Sequence, residues 1–414
     1  MDNAVKSRVL RQIKEKDVVG LCSRILRIPS FKTEEQKVAR YLANFFRRRG
    51  YEVDLQEVEP GRYQTIATLK GTGGGKSLML NGHLDIDPLA MGWKRDPWKP
   101  VVEEDRLYGA GAFNMKGGVA AMISAVEAIR KAGVRLKGDI VVACVVGELQ
   151  GGVGTVHALK SGVRADMAIV AEPFGSDTLM TVHAGVVGMV INTIGYSTHI
   201  TVREKGIDAI EKMMKVIDAV DKVELRHTPR EDLPGLPRIN CGAIIGGKGR
   251  DHDLKGPNFV SDFCTTIWDV RILPGQTSKT VEEDVRKVLE RLSREDPDLR
   301  WELEIPPPAK YKGMTVIMEP VDIPKDEYIV RSVARSFEEH MGRPPTTIGA
   351  LLPRSYAGND TCHLWAAGIP CVLNGPGGDR TLNDEPDNFV YISQMVQCAK
   401  THALTALDVC SQPS

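Results

Sequence analysis

Three short apolar runs constrain this chain more than any other feature. They are residues 77–81, 139–146 and 167–171, each built largely from Val, Ile, Leu, Met or Ala and each followed by a polar or glycine-containing segment. Runs this short, without polar alternation, suit strands buried on both faces, as where helices cover both sides of a largely parallel sheet. An apolar helix candidate, residues 117–132, lies between the first two runs and is entered through a glycine-rich turn. The alternation predicts an α/β domain with a mixed, mostly parallel sheet covered by helices. In such sheets functional side chains gather beyond the strand ends.

Ahead of the first run, residues 5–49 read as a helix, a turn at Ile28-Pro29-Ser30 and a second helix. Arg47-Arg48-Arg49 falls where the second helix ends, a place where cations complement the helix dipole. The texture changes near His183. Residues 187–195, 241–247 and 263–270 read as strands, and 206–220 and 281–293 as helices, which together make one inserted α+β segment. Pro306-Pro307-Pro308 marks the return to the first domain, with helix and strand signals resuming from Lys312. The expected division is 1–181 with 312–414, and 182–311 as the insertion.

With 414 residues, 42% hydrophobic and 26% charged, the chain has material for a sizeable core. Lys+Arg and Asp+Glu both total 54, so no net field draws it to nucleic acid or an anionic membrane. The opening Met1-Asp2-Asn3-Ala4-Val5-Lys6 lacks the apolar core of a secretory signal, and no apolar run reaches membrane-spanning length. The eight cysteines are scattered without a Cys-x-x-Cys pair, which fits free thiols in a reducing compartment. The expected setting is the cytoplasm, and the expected partners are small molecules, with neither nucleic acid nor membrane.

Each apolar run hands over to residues with chemistry. His83-Leu84-Asp85 follows the first. Such a pair alone is more often structural, but a metal-bound imidazole commonly has its second nitrogen held by a carboxylate, and Asp85 is spaced to do that. Residues 107–118 form the glycine-rich turn, with Asn114 ahead of Met115-Lys116-Gly117-Gly118. Gly147-Glu148-Leu149-Gln150-Gly151-Gly152 follows the second run, where Glu148 is either a helix-cap element or a catalytic base. Ala171-Glu172-Pro173 ends the third and puts a second carboxylate on the same edge.

That order resembles the dinuclear-zinc peptidase and deacylase family of acetylornithine deacetylase, succinyl-diaminopimelate desuccinylase, glutamate carboxypeptidase and aminoacylase. Further blocks extend the resemblance over nearly the whole chain. Gly195-Tyr196-Ser197-Thr198-His199 with Gly206 is similar to the family's lid motif. Asn258-Phe259-Val260-Ser261 and Asp269-Val270-Arg271-Ile272-Leu273-Pro274-Gly275 resemble its next pair, with Ser261 in place of a proline. Gly358-Asn359-Asp360 and Gly375-Pro376-Gly377 match the last blocks. The resemblance implies a metal-binding catalytic domain and an inserted lid and dimerisation domain, hence a homodimer through the lid or a higher homo-oligomer. It implies Glu148 as the base, Asp85 as the partner of His83, and His199 as a lid residue stabilising the developing anion. Asn258 and Arg271 correspond to substrate-carboxylate or oxyanion contacts, since arginine offers a fork for a carboxylate. A salt bridge at an interface is the alternative for Arg271. Arg354 is a second candidate clamp.

The departures are equally informative. Where the family has an Asp bridging two metals, this chain has Asn114, and where it has a Glu on the second metal, this chain has Leu149. Where the family has a second-metal His, alignment through residues 385–390 puts Asp384, with Asn383 one residue away. The implied ligands are therefore His83, Asn114 and Glu172, with Asp384 as a further candidate. Two divalent ions held close together need anionic ligands to offset their repulsion, and an amide oxygen is a weaker ligand than a carboxylate. The expected cofactor is one labile divalent transition metal: manganese, zinc, cobalt or iron.

Three functions are compatible with this set. The leading one resembles a branch of the family in which water displaces the amine of a nitro-bearing aromatic ring. Charge there spreads into the ring, so the reaction leans less on a second metal. The second is an N-acyl amino acid deacylase or small peptidase, which needs strong oxyanion stabilisation. The third is a non-catalytic relative, favoured by the lost ligands and opposed by retention of His83, Asp85, Glu148, Glu172, His199 and Arg271.

Overall fold

The computed structural model describes residues 2–254, 258–311, 313–378 and 386–413. They divide into two compact units. The first is Met1–Val182, Val321–Ser355 and Asn359–Ser414; the second is His183–Pro320 with Tyr356–Gly358.

The first unit is built on eight strands: β1 (Glu52–Glu59), β2 (Arg62–Leu69), β3 (Leu78–His83), β4 (Ile140–Val145), β5 (Met167–Val170), β6 (Thr178–Met180), β7 (Thr347–Gly349) and β8 (Cys371–Leu373). They lie in the order β1-β2-β4-β3-β5-β8-β6-β7. The centre, β4-β3-β5-β8, is parallel, while β1-β2, β2-β4 and β8-β6 are antiparallel. Every residue of β3, β4 and β5 is buried, as expected for strands covered on both faces. The three apolar runs are therefore the middle of the sheet. The hairpin β1-β2 is not among the strands anticipated from sequence. β1 is a Glu-rich segment that buries only Gln56 fully, so its apolar signal is weak.

Seven of this unit's helices matter below or frame the sheet: α1 (Asn3–Leu10), α2 (Glu15–Leu26), α3 (Gln36–Arg47), α4 (Gly117–Lys131), α5 (Val153–Lys160), α6 (Thr361–Ala366) and α7 (Ile392–Val409). The amino-terminal stretch thus holds three helices where two were expected. Lys14 is extended (φ −107°, ψ 130°) and breaks the first expected helix, and α1 buries only Val9. α4 is almost wholly buried, which fits a helix packed between sheet and other helices.

The second unit has a four-stranded antiparallel sheet, ordered Arg238–Gly247, Phe263–Ile272, Gly185–Ile194 and Arg300–Glu304. Two helices, Ala209–Asp221 and Ser278–Glu295, supply Met213, Val216, Val285 and Leu289 to a core that includes Trp268 and Met189. Both helices start at a side-chain cap. Asp208 accepts from the N–H groups of Ile210 and Glu211, and Thr277 forms a reciprocal capping box with Thr280. Among the described residues no helix is long and apolar enough to cross a membrane. All eight cysteines are free, and seven are buried.

Candidate metal centre

The register of the central strands brings the chemistry to one edge. In β3, His83 lies opposite Val145 of β4, and Asn81 lies opposite Val170 of β5. Glu148 and Glu172 follow β4 and β5 directly, so all three side chains leave the carboxyl ends of neighbouring parallel strands. Glycine makes the turns close enough. Gly147 takes a left-handed conformation (φ +69°) to turn the chain into Glu148. A Cβ on Gly118 would sit 2.0 Å from the Ala171 carbonyl oxygen, and one on Gly375 would sit 2.3 Å from the carbonyl oxygens of Ala171 and Glu172. The glycine blocks read from the sequence thus press on both sides of the Glu172 strand end.

His83, Glu148 and Glu172 each offer one ligand atom, and those atoms lie within 4.8 Å of one another. His83 Nε2 is 3.6 Å from Glu172 Oε1, 3.9 Å from Glu148 Oε2 and 3.0 Å from Asn114 Oδ1. His83 Nδ1 donates to the Asp85 backbone carbonyl at 2.9 Å, which leaves Nε2 to face the cluster. Asp85's carboxylate is 3.5 Å from Nδ1 and does further work. It accepts the backbone N–H of Glu148 at 3.2 Å and of Leu149 at 3.0 Å. Leu149, which has no ligand atom, contributes through its backbone.

The electrostatics suit a divalent cation. Burial, opposed by the charge of His83 and reinforced by Asp360 and Asp85, pushes the Glu172 carboxyl up to about 7. Burial, opposed by His83 and reinforced by Glu172, Asp360 and Asp85, raises Glu148 well above the usual carboxylate range. Burial alone would lower the His83 imidazole, but its hydrogen bond to Asp85 and the charges of Asp85, Glu172 and Glu148 raise it well above its ordinary value. Asp85 is likewise opposed by burial, yet its hydrogen bond to His83 and the backbone bond from Leu149 hold it below its ordinary value. A divalent ion would take the place of the protons on His83 and the glutamates. One imidazole nitrogen with buried carboxylate oxygens is a donor set for such a transition ion.

A fourth carboxylate adjoins this group and was not singled out from sequence as a site residue. Asp360 is buried, accepts from Thr155 Oγ1 at 2.8 Å, and has its Oδ1 without a hydrogen-bond partner. Its only sequence signal was the Gly358-Asn359-Asp360 block. Arg354 is also buried, with its guanidinium carbon 4.9 Å from the centre of the Phe113 ring and 5.8 Å from that of Phe174.

In the second unit, exposed His199 accepts at Nδ1 from the N–H of Thr201, and its Nε2 is 3.4 Å from Asn258 Nδ2. Phe259 packs edge-on to the His199 ring. Arg271 is engaged with Asp269 through two hydrogen bonds, at 2.6 and 2.9 Å, and with the Tyr356 carbonyl at 3.3 Å. Asp384 lies outside the described residues.

Comparisons with known proteins agree with this architecture. Residues 79–408 match the family described as peptidase family M20/M25/M40. The chain is 30% identical over 387 residues to the N-formyl-4-amino-5-aminomethyl-2-methylpyrimidine deformylase of Bacillus subtilis (strain 168), covering 88% of this chain and 87% of that one. It is 27% identical over 400 residues to the acetylornithine deacetylase of Proteus mirabilis (strain HI4320), covering 91% and 93%. The fold is shared with an M20 family metallo-carboxypeptidase from Sulfolobus solfataricus, with a TM-score of 0.74 at 17% identity over 95% of this chain and 99% of that one.

The raised Glu172 carboxyl makes a thermal prediction. A carboxyl that prefers its neutral form in the fold gives stability that is complete below its ordinary value and is lost as pH rises through about 7. A cation bound to the carboxylate form offsets that loss and gains affinity as the protons leave. Manganese in fixed excess should therefore raise the melting temperature of the metal-free protein more at pH 8 than at pH 6, by scanning calorimetry. Equal shifts at the two pH values would contradict the cluster's part in binding.

Proposed function

The chain belongs to peptidase family M20/M25/M40, a family of metal-dependent C–N hydrolases, and we propose that it works with one divalent ion to replace the amine of a flat, carboxylate-bearing arylamine by water. The leading substrate is 5-nitroanthranilate, giving 5-nitrosalicylate and ammonia. The observation that carries this reading is the lack of a carboxylate at two positions. Asn114 presents a neutral amide oxygen 3.0 Å from His83 Nε2, and Leu149 offers only its backbone N–H, to Asp85. Arg354, buried near the rings of Phe113 and Phe174, is the guanidinium we assign to the substrate carboxylate, which it would meet by exchanging a present partner.

When bound, the ion acidifies water and polarises the substrate. The chain's own residues supply the rest. The water oxygen bonds to the ring carbon while one water proton passes to Glu148. The C–N bond then breaks with its electron pair on nitrogen, which takes that proton from Glu148 and leaves as ammonia. The second water proton stays on the new ring hydroxyl. His83 and Glu172 hold the ion with Asn114, and Asp85 fixes His83 and the Glu148 turn together. We assign His199 and Asn258 to stabilising developing negative charge from the second unit. Arg271 serves the substrate carboxylate only by exchanging Asp269 for it.

A second reading, hydrolysis of a formamide or other N-acyl group, is favoured by the 30% identity to a pyrimidine deformylase. Ammonia and product assays in manganese separate the two, using 5-nitroanthranilate beside N-formyl amines and N-acetylornithine. The expected result is turnover of the arylamine, falling roughly 10²–10⁴-fold in Glu148→Gln as for loss of a general base. Turnover of the N-acyl compounds alone would establish the second reading instead.

We further infer a homodimer through the second unit, in a reducing compartment that suits the free cysteines. The strand Arg238–Gly247 is at a sheet edge with Ile244 and Ile245 exposed, and the helix Ala209–Asp221 exposes Ile210 and Met214. An open, apolar edge of this length is a template for pairing with a second copy. Sedimentation velocity should give a dimer for the natural chain and a monomer for Ile244→Lys. A natural chain that sediments as a monomer rejects this assignment.

A further inference from the structure

Arg62 is a buried arginine that none of the chemistry above uses. It opens β2, which runs antiparallel to β4 with Thr65 opposite Cys144. Carrying that register three residues further sets Arg62 beside Gly147, the residue that turns the chain into Glu148. The contact is close, since a Cβ on Gly147 would come within 2.8 Å of Arg62 Nη2. Nη1 donates to the side-chain oxygen of Gln150 at 2.6 Å, so the guanidinium meets the Glu148 turn at both of its ends. The rest of the guanidinium is fixed as well. Nε donates to Glu35 Oε2 at 2.9 Å, Nη2 donates to Glu35 Oε1, and Nη1 also donates to the exposed Glu59 at 3.0 Å. Glu35 follows a segment that is bonded to the residues on either side of Asp85. Ser30 Oγ donates to the Leu84 carbonyl at 2.7 Å, and the Ile86 N–H donates to the Ser30 carbonyl at 3.0 Å.

A buried ion pair is a poor device for stability, because desolvating both charges offsets most of what their attraction gains. What Arg62 offers that an apolar side chain of its volume does not is a planar fork of donors, whose directions are fixed once Glu35 holds one edge of it. We propose that Arg62, acting through Gln150, is a positioning residue that holds Glu148 where it takes the water proton and returns it to the leaving nitrogen. This role rests on the reading above, in which Glu148 carries that proton, and it names what sets the carrier's place. Asp85 ties the turn by its backbone, through the N–H groups of Glu148 and Leu149, whereas Arg62 ties it by a side chain. Two ties on different atoms remove the rocking that either alone would permit. A reacting group displaced by about 1 Å can lose about 10²-fold in rate, so this restraint bears directly on turnover.

Gln150→Met tests this, because it removes the acceptor at nearly constant volume and leaves Arg62 bonded to Glu35 and Glu59, so the fold stays in place. In the manganese-loaded full chain, amide hydrogen exchange across residues 147–152 should speed up, while β3 and β4 exchange as in the natural chain. With whichever of 5-nitroanthranilate, N-formyl amines and N-acetylornithine is turned over, kcat should fall by roughly 10–10²-fold, with KM and bound manganese unchanged. Combined with Glu148→Gln, Gln150→Met should bring no further loss, since a residue acting only through Glu148 then has no carrier left to position. Turnover of none of these substrates would reject the hydrolytic reading. Faster exchange in that case keeps Arg62 as the tie of the turn, so the two failures are told apart. Unchanged exchange at 147–152 would overturn the tie itself. A raised KM or lost manganese at unchanged kcat, or equal losses in the natural and Glu148→Gln backgrounds, would overturn the positioning of Glu148.

Discussion

The buried carboxylate of Asp85 joins two strand ends. Its oxygens accept the backbone N–H groups of Glu148 and Leu149, while its own backbone carbonyl accepts His83 Nδ1. The direction in which His83 presents Nε2 and the position of the Glu148 turn are therefore set by one residue. The charge on Asp85 survives full burial because these hydrogen bonds outweigh desolvation. The same turn is steadied from its far side. Gln150 accepts from Arg62 at 2.6 Å, and Arg62 is itself held by the buried carboxylate of Glu35. Glu148 thus rides on a turn whose backbone and flanking side chain are both tied down, as the proposed proton carrier would require.

Charge explains what the site can hold. Asp85, Glu148, Glu172 and Asp360 are all buried near His83, and all but Asp85 are raised towards their neutral forms by burial and by one another. Each unit of positive charge brought into this environment is welcome until the carboxylates are satisfied. A second divalent ion needs further anionic ligands at the shared edge, and positions 114 and 149 supply an amide and a leucine.

Much of the fold was legible because its centre is buried on both faces. Short apolar strands with a buried helix between them read correctly, and their polar ends marked the edge where His83, Glu148 and Glu172 gather. The hairpin β1-β2 was not read because its outer strand exposes alternate residues and is rich in Glu. The split of the amino-terminal segment into α1 and α2 hinges on the extended backbone of Lys14, a residue with no strong local preference. His83, Glu148 and Glu172 were legible as strand-end residues in a family order, and the structure gathers them within 4.8 Å. Asp85 was expected on the imidazole; its carboxylate lies 3.5 Å from His83 Nδ1 and also accepts two backbone amides, a second role that only the juxtaposition of β3 and β4 could reveal. Asp360 and the Arg62–Glu35 pair were illegible for a similar reason. Their partners lie far away in sequence, and no local pattern records them.

The proposal that the site holds a single ion is tested most directly by counting ions. The metal-free chain is titrated with manganese by calorimetry, and the metal retained per chain is then measured by elemental analysis after gel filtration. One ion per chain, readily removed by chelator, is the expected result. Two tightly retained ions per chain would contradict it.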